Sequence, residues 1–199
     1  MDYIELNLLE MLDTYGEDKL QAILSRFMCP QNTDVENFIQ TKAIDFARQR
    51  TAMTYLVFIA AGHPELVGYF TLANKFVSIT GNALSKTLQK RISKFSQYDE
   101  ELDRFLVSMP LIAQLGRNFD PALSASIPGQ ELLAAACHKV REAQFIIGGK
   151  AVYIECSNNQ KLYDFYSASQ FVQFGWRRRD IDEIAESPTL VQMLKYFRD

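Results

Sequence analysis

The sequence is poor in the residues that metal and disulfide chemistry require. Three cysteines and two histidines occur in 199 residues. Cys29, Cys137 and Cys156 are odd in number and lack metal-ligand spacing, which predicts reduced, mostly buried thiols. His63 and His138 are too few and too scattered for a zinc site. Net charge is small, −3 at neutral pH, which argues against strong non-specific attraction to nucleic acid or an acidic membrane. No apolar run approaches the length of a membrane span and no leader-like stretch opens the sequence, so the expectation is a cytoplasmic protein without a membrane partner.

Apolar residues, by contrast, make up 48% of the chain, enough for a full core. The expected organisation is an N-terminal helical segment over residues 1–30 packed on a domain covering 31–199. Residues 4–15 carry Ile4, Leu8, Met11 and Leu12 at helical spacing and close on Gly16, and residues 17–27 repeat the pattern with Leu20, Ile23, Leu24 and Phe27. The pair is either a partner surface or an extension of the core, and it runs into a short strand near Met28-Cys29. Pro30-Gln31-Asn32 breaks the chain. Thr33-Asp34-Val35-Glu36 reads as a capping box, Glu36 reaching back to the Thr33 amide, and the helix behind it should bury Val35, Phe38, Ile39, Ala43 and Phe46.

Residues 51–59 and 65–73 are β-branched and aromatic and form a hairpin, with Ala61-Gly62-His63-Pro64 as the turn and His63 solvated at its tip. Leu84, Leu88 and Ile92 mark a helix whose outer side carries Lys86, Lys90, Arg91 and Lys94. The acidic run Tyr98–Asp103 comes next. That basic side is either a solvated face balanced by the acidic run or a contact for RNA or for a coenzyme's 3′-phosphate.

The organising stretch is 105–142. Phe105–Phe119 is apolar until Gln114, Arg117 and Asn118, as a central strand is. A helix comes after it, with Ser126 as N-cap, Pro128 in the first turn, Gly129 leaving space, and Leu132, Leu133, Ala136, Cys137 and Val140 as its apolar stripe. An uncluttered helix N-terminus behind a buried strand offers backbone N–H groups and a favourable dipole to an anion. Ala151–Cys156 is a further strand, parallel to the first because a helix crosses between them. Residues 157–171 form a helix, and 171–176 and 189–197 two more strands, joined through Arg177-Arg178-Arg179 and the acidic segment 180–186.

This layout resembles the GNAT (Gcn5-related N-acetyltransferase) superfamily. In its Q/R-x-x-G-x-G/A loop, Gly129 falls on the last glycine, Ile127 on the first and Ser124 on the Q/R. The stretch 159–171 is similar to N-x-x-A-x-x-L-Y-x-x-x-G-F: Asn159 stands on the Asn, Leu162 on the Ala, Phe165 on the Leu, Tyr166 on the Tyr and Phe171 on the Phe, while Gln170 replaces the Gly. The helix at 34–50, Gly68-Tyr69-Phe70 and M-P-L-I-A-Q-L-G-R also resemble GNAT toxins of toxin–antitoxin pairs.

The resemblance implies an α/β fold, a mixed, mostly antiparallel sheet with two splayed parallel central strands flanked by helices. It implies direct acetyl transfer from acetyl-coenzyme A to an amine of a small molecule or peptide. Acetylation of aminoacyl-tRNA and a non-catalytic acyl-CoA-binding or interaction module are the alternatives. The implied coenzyme-binding set is Gln114, Leu115, Gly116 and Arg117 on the first parallel strand, Ile127, Gly129 and Gln130 at the turn, and Asn159. Tyr166 is the implied proton donor to the leaving thiolate, and Glu155 is the base on offer; on the residues alone, Tyr166 reads equally as a core aromatic. Whether the chain pairs as a homodimer stays open.

Overall fold

The structure, a computed structural model, describes residues 3–59, 64–179 and 188–198. The chain divides into two compact units, one of residues 1–73 and 113–136, the other of 74–112 and 137–199. The sheet is mixed and mostly antiparallel, and helices flank it, as the sequence reading expects.

The first unit opens with β1 (Tyr3–Asn7), which pairs antiparallel with β2 (Met53–Ile59) from Tyr3↔Ile59 to Asn7↔Tyr55. This corrects the expected helix from residue 4. The boundary is set by Asn7, whose side chain accepts from the amides of Leu9 and Glu10 and so caps α1 (Leu8–Tyr15) one residue later. After α2 (Glu17–Leu24) no strand forms at Met28-Cys29. There the Met28 amide donates to the Asn118 side chain at 3.0 Å, and its carbonyl accepts from the Phe119 amide at 2.8 Å.

The helix at 33–48 runs as α3 (Thr33–Asn37), a π-helical turn (Phe38–Lys42) and α4 (Ala43–Arg48). Its cap is Asn32, not Thr33, and Glu36 reaches past Thr33 to the Cys29 amide at 2.6 Å. The π turn inserts one residue and rotates the face of α4 by about 100°. The buried side therefore passes to Ala43, Ile44 and Ala47, and Phe46 is left 39% exposed. Leu8, Leu20, Leu24, Phe27, Ile39 and Tyr69 are fully buried together, and each such large side chain contributes about 1.5–3 kcal/mol. Tyr69 donates its hydroxyl to the Val35 carbonyl at 2.6 Å.

β2 pairs antiparallel with β3 (Glu65–Thr80), the expected hairpin, with a bulge between Val57 and Phe58. Its turn, including His63, lies outside the described residues.

In the second unit β3 ends in a short 3-10 turn, and α5 (Lys86–Ile92) starts on a Ser85 cap. β4 (Gln97–Asp99) pairs antiparallel with the start of β5 (Arg104–Arg117). β5 pairs parallel with β6 (Ala151–Ser157) at Leu111↔Tyr153 and Ile112↔Ile154, as the crossover argument requires. The crossover helix is α6 (Gly129–Ile147). After α7 (Gln160–Ala168), β7 (Val172–Arg178) pairs antiparallel with β8 (Thr189–Tyr196), which pairs antiparallel with β6. The acidic segment 180–186 lies outside the described residues.

Candidate functional site

In the first unit the end of β5 leads through a loop into α6. Gln114, Leu115 and Arg117 are half-buried, and Gly116 is buried. Gly116 is glycine because the backbone runs hard against its neighbours: a Cβ there would lie 2.5 Å from Val35 Cγ1 and 2.8 Å from Tyr69 Cε1. Gly68 has a similar role on β3, where a Cβ would lie 3.0 Å from the Gly116 carbonyl and 3.3 Å from Ile127 Cγ2. Ile127 is 1% exposed, so its side chain belongs to the core and only its backbone faces the loop.

Asn118 fixes the exit of the strand. Its amide donates to the Val67 carbonyl and its side-chain NH2 to Leu66, while its side-chain oxygen accepts from the amides of Met28 and Asp120. A buried amide so fully used holds three segments at one point. Arg117 stands beside it with its guanidinium 5.1 Å from the centre of the Phe119 ring. Its buried Nε has no hydrogen-bond partner among the described residues.

The cap of α6 is Pro128, whose carbonyl accepts from the amides of Glu131 and Leu132; the expected cap, Ser126, lies two residues before it. Proline has no side-chain oxygen with which to accept from the first amides of this 19-residue helix. Gly129 is half-buried and Gln130 exposed. Ser124 is tied through its amide and hydroxyl to the Glu65 carboxylate at 2.9 and 2.7 Å.

In the second unit Tyr166 is 8% exposed on α7, with its ring edge-on to Phe165 and to Phe171 at 5.0 and 5.7 Å. The ring packs as a core aromatic does. The hydroxyl has no hydrogen-bond partner among the described residues. Burial, then the nearby Cys156 and Cys137 thiols, raise its pKa well above that of an ordinary phenol. The same burial pushes the Cys156 thiol up to about 11. Sequence reasoning does not reach these two cysteines as neighbours of the phenol. They come from β6 and α6, and no local spacing connects them to α7.

Glu155 uses both carboxylate oxygens. One accepts from Arg177 Nε at 2.7 Å, the other from Gln192 Nε2 at 2.8 Å, so the side chain spans β6, β8 and β7. Asn159 is the N-cap of α7 and accepts from the Lys161 amide at 2.9 Å. The helix ends with Gln170 at φ 69°, the left-handed conformation of the glycine it replaces, and the Phe171 amide donates to the Tyr166 carbonyl.

No known family and no curated protein matches the chain by sequence. Solved structures do match, and they show its fold. AtaT in complex with acetyl-methionyl-tRNAfMet superposes with a TM-score of 0.63 at 21% identity, over 96% of this chain and 94% of that one. A tyrosine-to-phenylalanine mutant of KacT gives 0.62 at 17% identity, over 97% and 95%. A mutant AtaT toxin bound to the C-terminus of the antitoxin AtaR and acetyl-CoA gives 0.61 at 16% identity, over 98% and 94%. The chain has the GNAT-like fold of these toxins, the fold expected from its motifs.

Proposed function

We propose that the chain is an N-acetyltransferase that passes an acetyl group from acetyl-CoA directly to an amine. The observation that carries this reading is the hydroxyl of Tyr166, which has no partner among the described residues on a side chain only 8% exposed, in a chain with the GNAT-like fold.

The residues of the first unit fit the coenzyme's diphosphate. The start of α6 brings the Gly129 amide and a favourable helix dipole, and Arg117 brings a cation whose buried Nε has no partner among the described residues. When bound, acetyl-CoA would supply the activated thioester. The backbone of residues 114–117, on the part of β5 beyond its last pair with β6, would hold the pantetheine arm and polarise the thioester carbonyl. Positioning beside the amine would remove much of the barrier. Tyr166 would hold a proton at its phenolic oxygen for the departing thiolate, since burial keeps it protonated at neutral pH.

Glu155 is the less apt part of the proposal. Its two oxygens are both engaged, so to act as base it must release Arg177 or Gln192. Its geometry suits an anchor of the three strands better than a proton acceptor.

The amine of an aminoacyl-tRNA is a second reading of the acceptor. Lys86, Lys90 and Lys94 are exposed at four-residue spacing along α5 and its exit. None has an ion-pair partner among the described residues. Within the acidic run expected to balance them, Asp99 accepts from the amides of Glu101 and Leu102 and Asp103 from Tyr98, while Glu100 and Glu101 form no ion pair among the described residues. AtaT, with the same fold, was solved with a tRNA.

The test is thiol release from acetyl-CoA with a panel of amines and with aminoacyl-tRNA, on wild type and Tyr166→Phe. Turnover with at least one acceptor, reduced on the order of ten- to a thousandfold in Tyr166→Phe at unchanged melting temperature, is the expected result. Full activity in the mutant overturns the role of Tyr166; no binding of acetyl-CoA overturns the reading as a whole.

A further inference from the structure

Residues 118–131 run from the exit of β5 to the first turn of α6, and they contain no lysine or arginine. Their charged side chains are Asp120 and Glu131, both acidic. A third carboxylate, Glu65 of β3, lies against the same stretch and accepts from the amide and hydroxyl of Ser124 at 2.9 and 2.7 Å. A phosphate group held here therefore needs cations from other segments. Two arginines of the first unit reach the stretch. Arg117 stands just before it, half-buried, with its guanidinium 5.1 Å from the centre of the Phe119 ring and no ion pair among the described residues. The Glu36 carboxylate does not neutralise it, since one oxygen accepts from the Cys29 amide at 2.6 Å and neither pairs with Arg117.

The second arginine is Arg26, two residues beyond α2, whose Nη2 lies 3.7 Å from the Asp120 carboxylate. The arginine side chain is 72% exposed. An ion pair so long and so open to water is weak. Asp120 does not depend on it, because its Oδ1 accepts from the Ala122 amide at 2.9 Å. The backbone around the two arginines, by contrast, is fixed. The Asn118 side-chain oxygen accepts from the amides of Met28 and Asp120, both at 3.0 Å, and the Phe119 amide donates to the Met28 carbonyl at 2.8 Å. The segment that carries Arg26 is thus bonded directly to the one that carries Arg117 and Asp120. Arg26 itself is left free to exchange a distant carboxylate for a better anion, and the planar fork of a guanidinium matches phosphate.

We infer that Arg26 is a further coenzyme-binding residue: it exchanges Asp120 for the diphosphate of acetyl-CoA and, with Arg117, clamps it. The inference rests on the acetyltransferase reading. It gives the N-terminal helical segment a part in binding the donor, beside the strand and turn that follow it in the chain. Asp120 holds Arg26 until the diphosphate displaces it.

Titration calorimetry of the whole chain with coenzyme A and with 3′-dephospho-coenzyme A tests it. Arg26→Ala should weaken both ligands alike, by about tenfold, the loss of one charge-assisted hydrogen bond. It should also flatten the dependence of affinity on salt. Arg26→Lys keeps the charge and should lose less. Asp120→Asn keeps an acceptor for the Ala122 amide and removes the competing charge, so it should tighten both ligands. A merely structural ion pair predicts the same effect from Arg26→Ala and Asp120→Asn, whereas the clamp predicts opposite signs. Arg26 is exposed, so melting temperatures without ligand should stay within about a degree or two of wild type; if Arg26→Ala does not fold, Arg26→Gln takes its place. Unchanged affinity in Arg26→Ala, or an equal loss in Asp120→Asn, overturns the inference and leaves coenzyme binding standing. A loss confined to coenzyme A overturns it as well, because it moves Arg26 to the 3′-phosphate. A wild type that binds neither ligand overturns the clamp together with the acetyltransferase reading.

Discussion

Val35 and Gly116 occupy positions that leave no room for a methyl group between them: a Cβ on Gly116 would lie 2.5 Å from Val35 Cγ1, and Tyr69 and Phe27 close the remaining sides. The helix at 33–48 is thereby pressed directly on the backbone of β5. Gly116 belongs to the coenzyme-binding strand that the family resemblance implies, and the packing supplies a separate reason for it.

Gly116→Ala should therefore destabilise by about 1–3 kcal/mol, the cost of overpacking a well-filled core. Thermal or urea unfolding reads this directly. If the only reason for the glycine is room for a ligand, stability will be unaltered and acetyl-CoA binding alone will weaken.

Gln170 offers a change in the opposite direction. It stands at φ 69°, where a side chain costs about 1–2 kcal/mol and glycine costs nothing. Glycine gains unfolded-chain freedom of about 0.4–1 kcal/mol in return. Gln170→Gly should raise stability by about 0.5–1 kcal/mol, visible as a higher urea midpoint at constant m-value. An unchanged or lowered midpoint would mean that the Gln170 side chain makes up its own strain.

Glu155→Gln separates anchor from base. The carboxylate is 12% exposed and paired with Arg177, which is 28% exposed. Losing its charge removes the Glu155–Arg177 ion pair and should cost about 1–3 kcal/mol after allowance for solvent at the arginine. An anchoring role predicts activity that tracks stability at every pH. A base predicts a specific fall in turnover that rising pH restores, as more of the amine becomes neutral without help.

Stability should also fall in alkali. The Cys156 thiol ionises at about 11 in the folded chain, against an ordinary 9.0, because burial disfavours the thiolate. The folded state keeps this proton longer than the unfolded state. Its contribution is complete below pH 9 and is lost as pH rises from 9 through 11. Cys156→Ala should flatten the stability–pH curve in that window, as measured by urea midpoints at successive pH values. Tyr166, raised in the same direction, adds its own decline above pH 10.

The coarse architecture was legible because it is written in local signals. The hairpin of β2 and β3 comes from β-branched runs, the parallel pair of β5 and β6 from the helix between them, and α7 from a spacing that ends at Phe171. Two of the shifted helix starts have a common cause, a cap residue one or two positions away from the expected one: Asn32 for Thr33 and Pro128 for Ser126. Asn7, Asn32 and Pro128 each cap a helix, and Asn7 with Glu10 three residues on is a visible cue. The π turn at Phe38–Lys42 leaves no such cue, since one inserted residue alters which positions are buried without altering composition. The partners of Glu155 are hidden for a different reason: Arg177 and Gln192 lie on strands that only the sheet order brings beside β6.

The division into two units has a consequence for how the protein can be handled. The chain passes between them at residues 73/74, 112/113 and 136/137, and these points lie inside β3, β5 and α6. None is a linker. Each unit is assembled from two separate stretches of sequence, so neither can be cloned as one continuous fragment. A protease that cuts in loops has no site at which to release one unit from the other. Truncation series, the usual route to a minimal active fragment, should yield insoluble or unfolded pieces here, and function is better dissected by point substitution in the undivided chain.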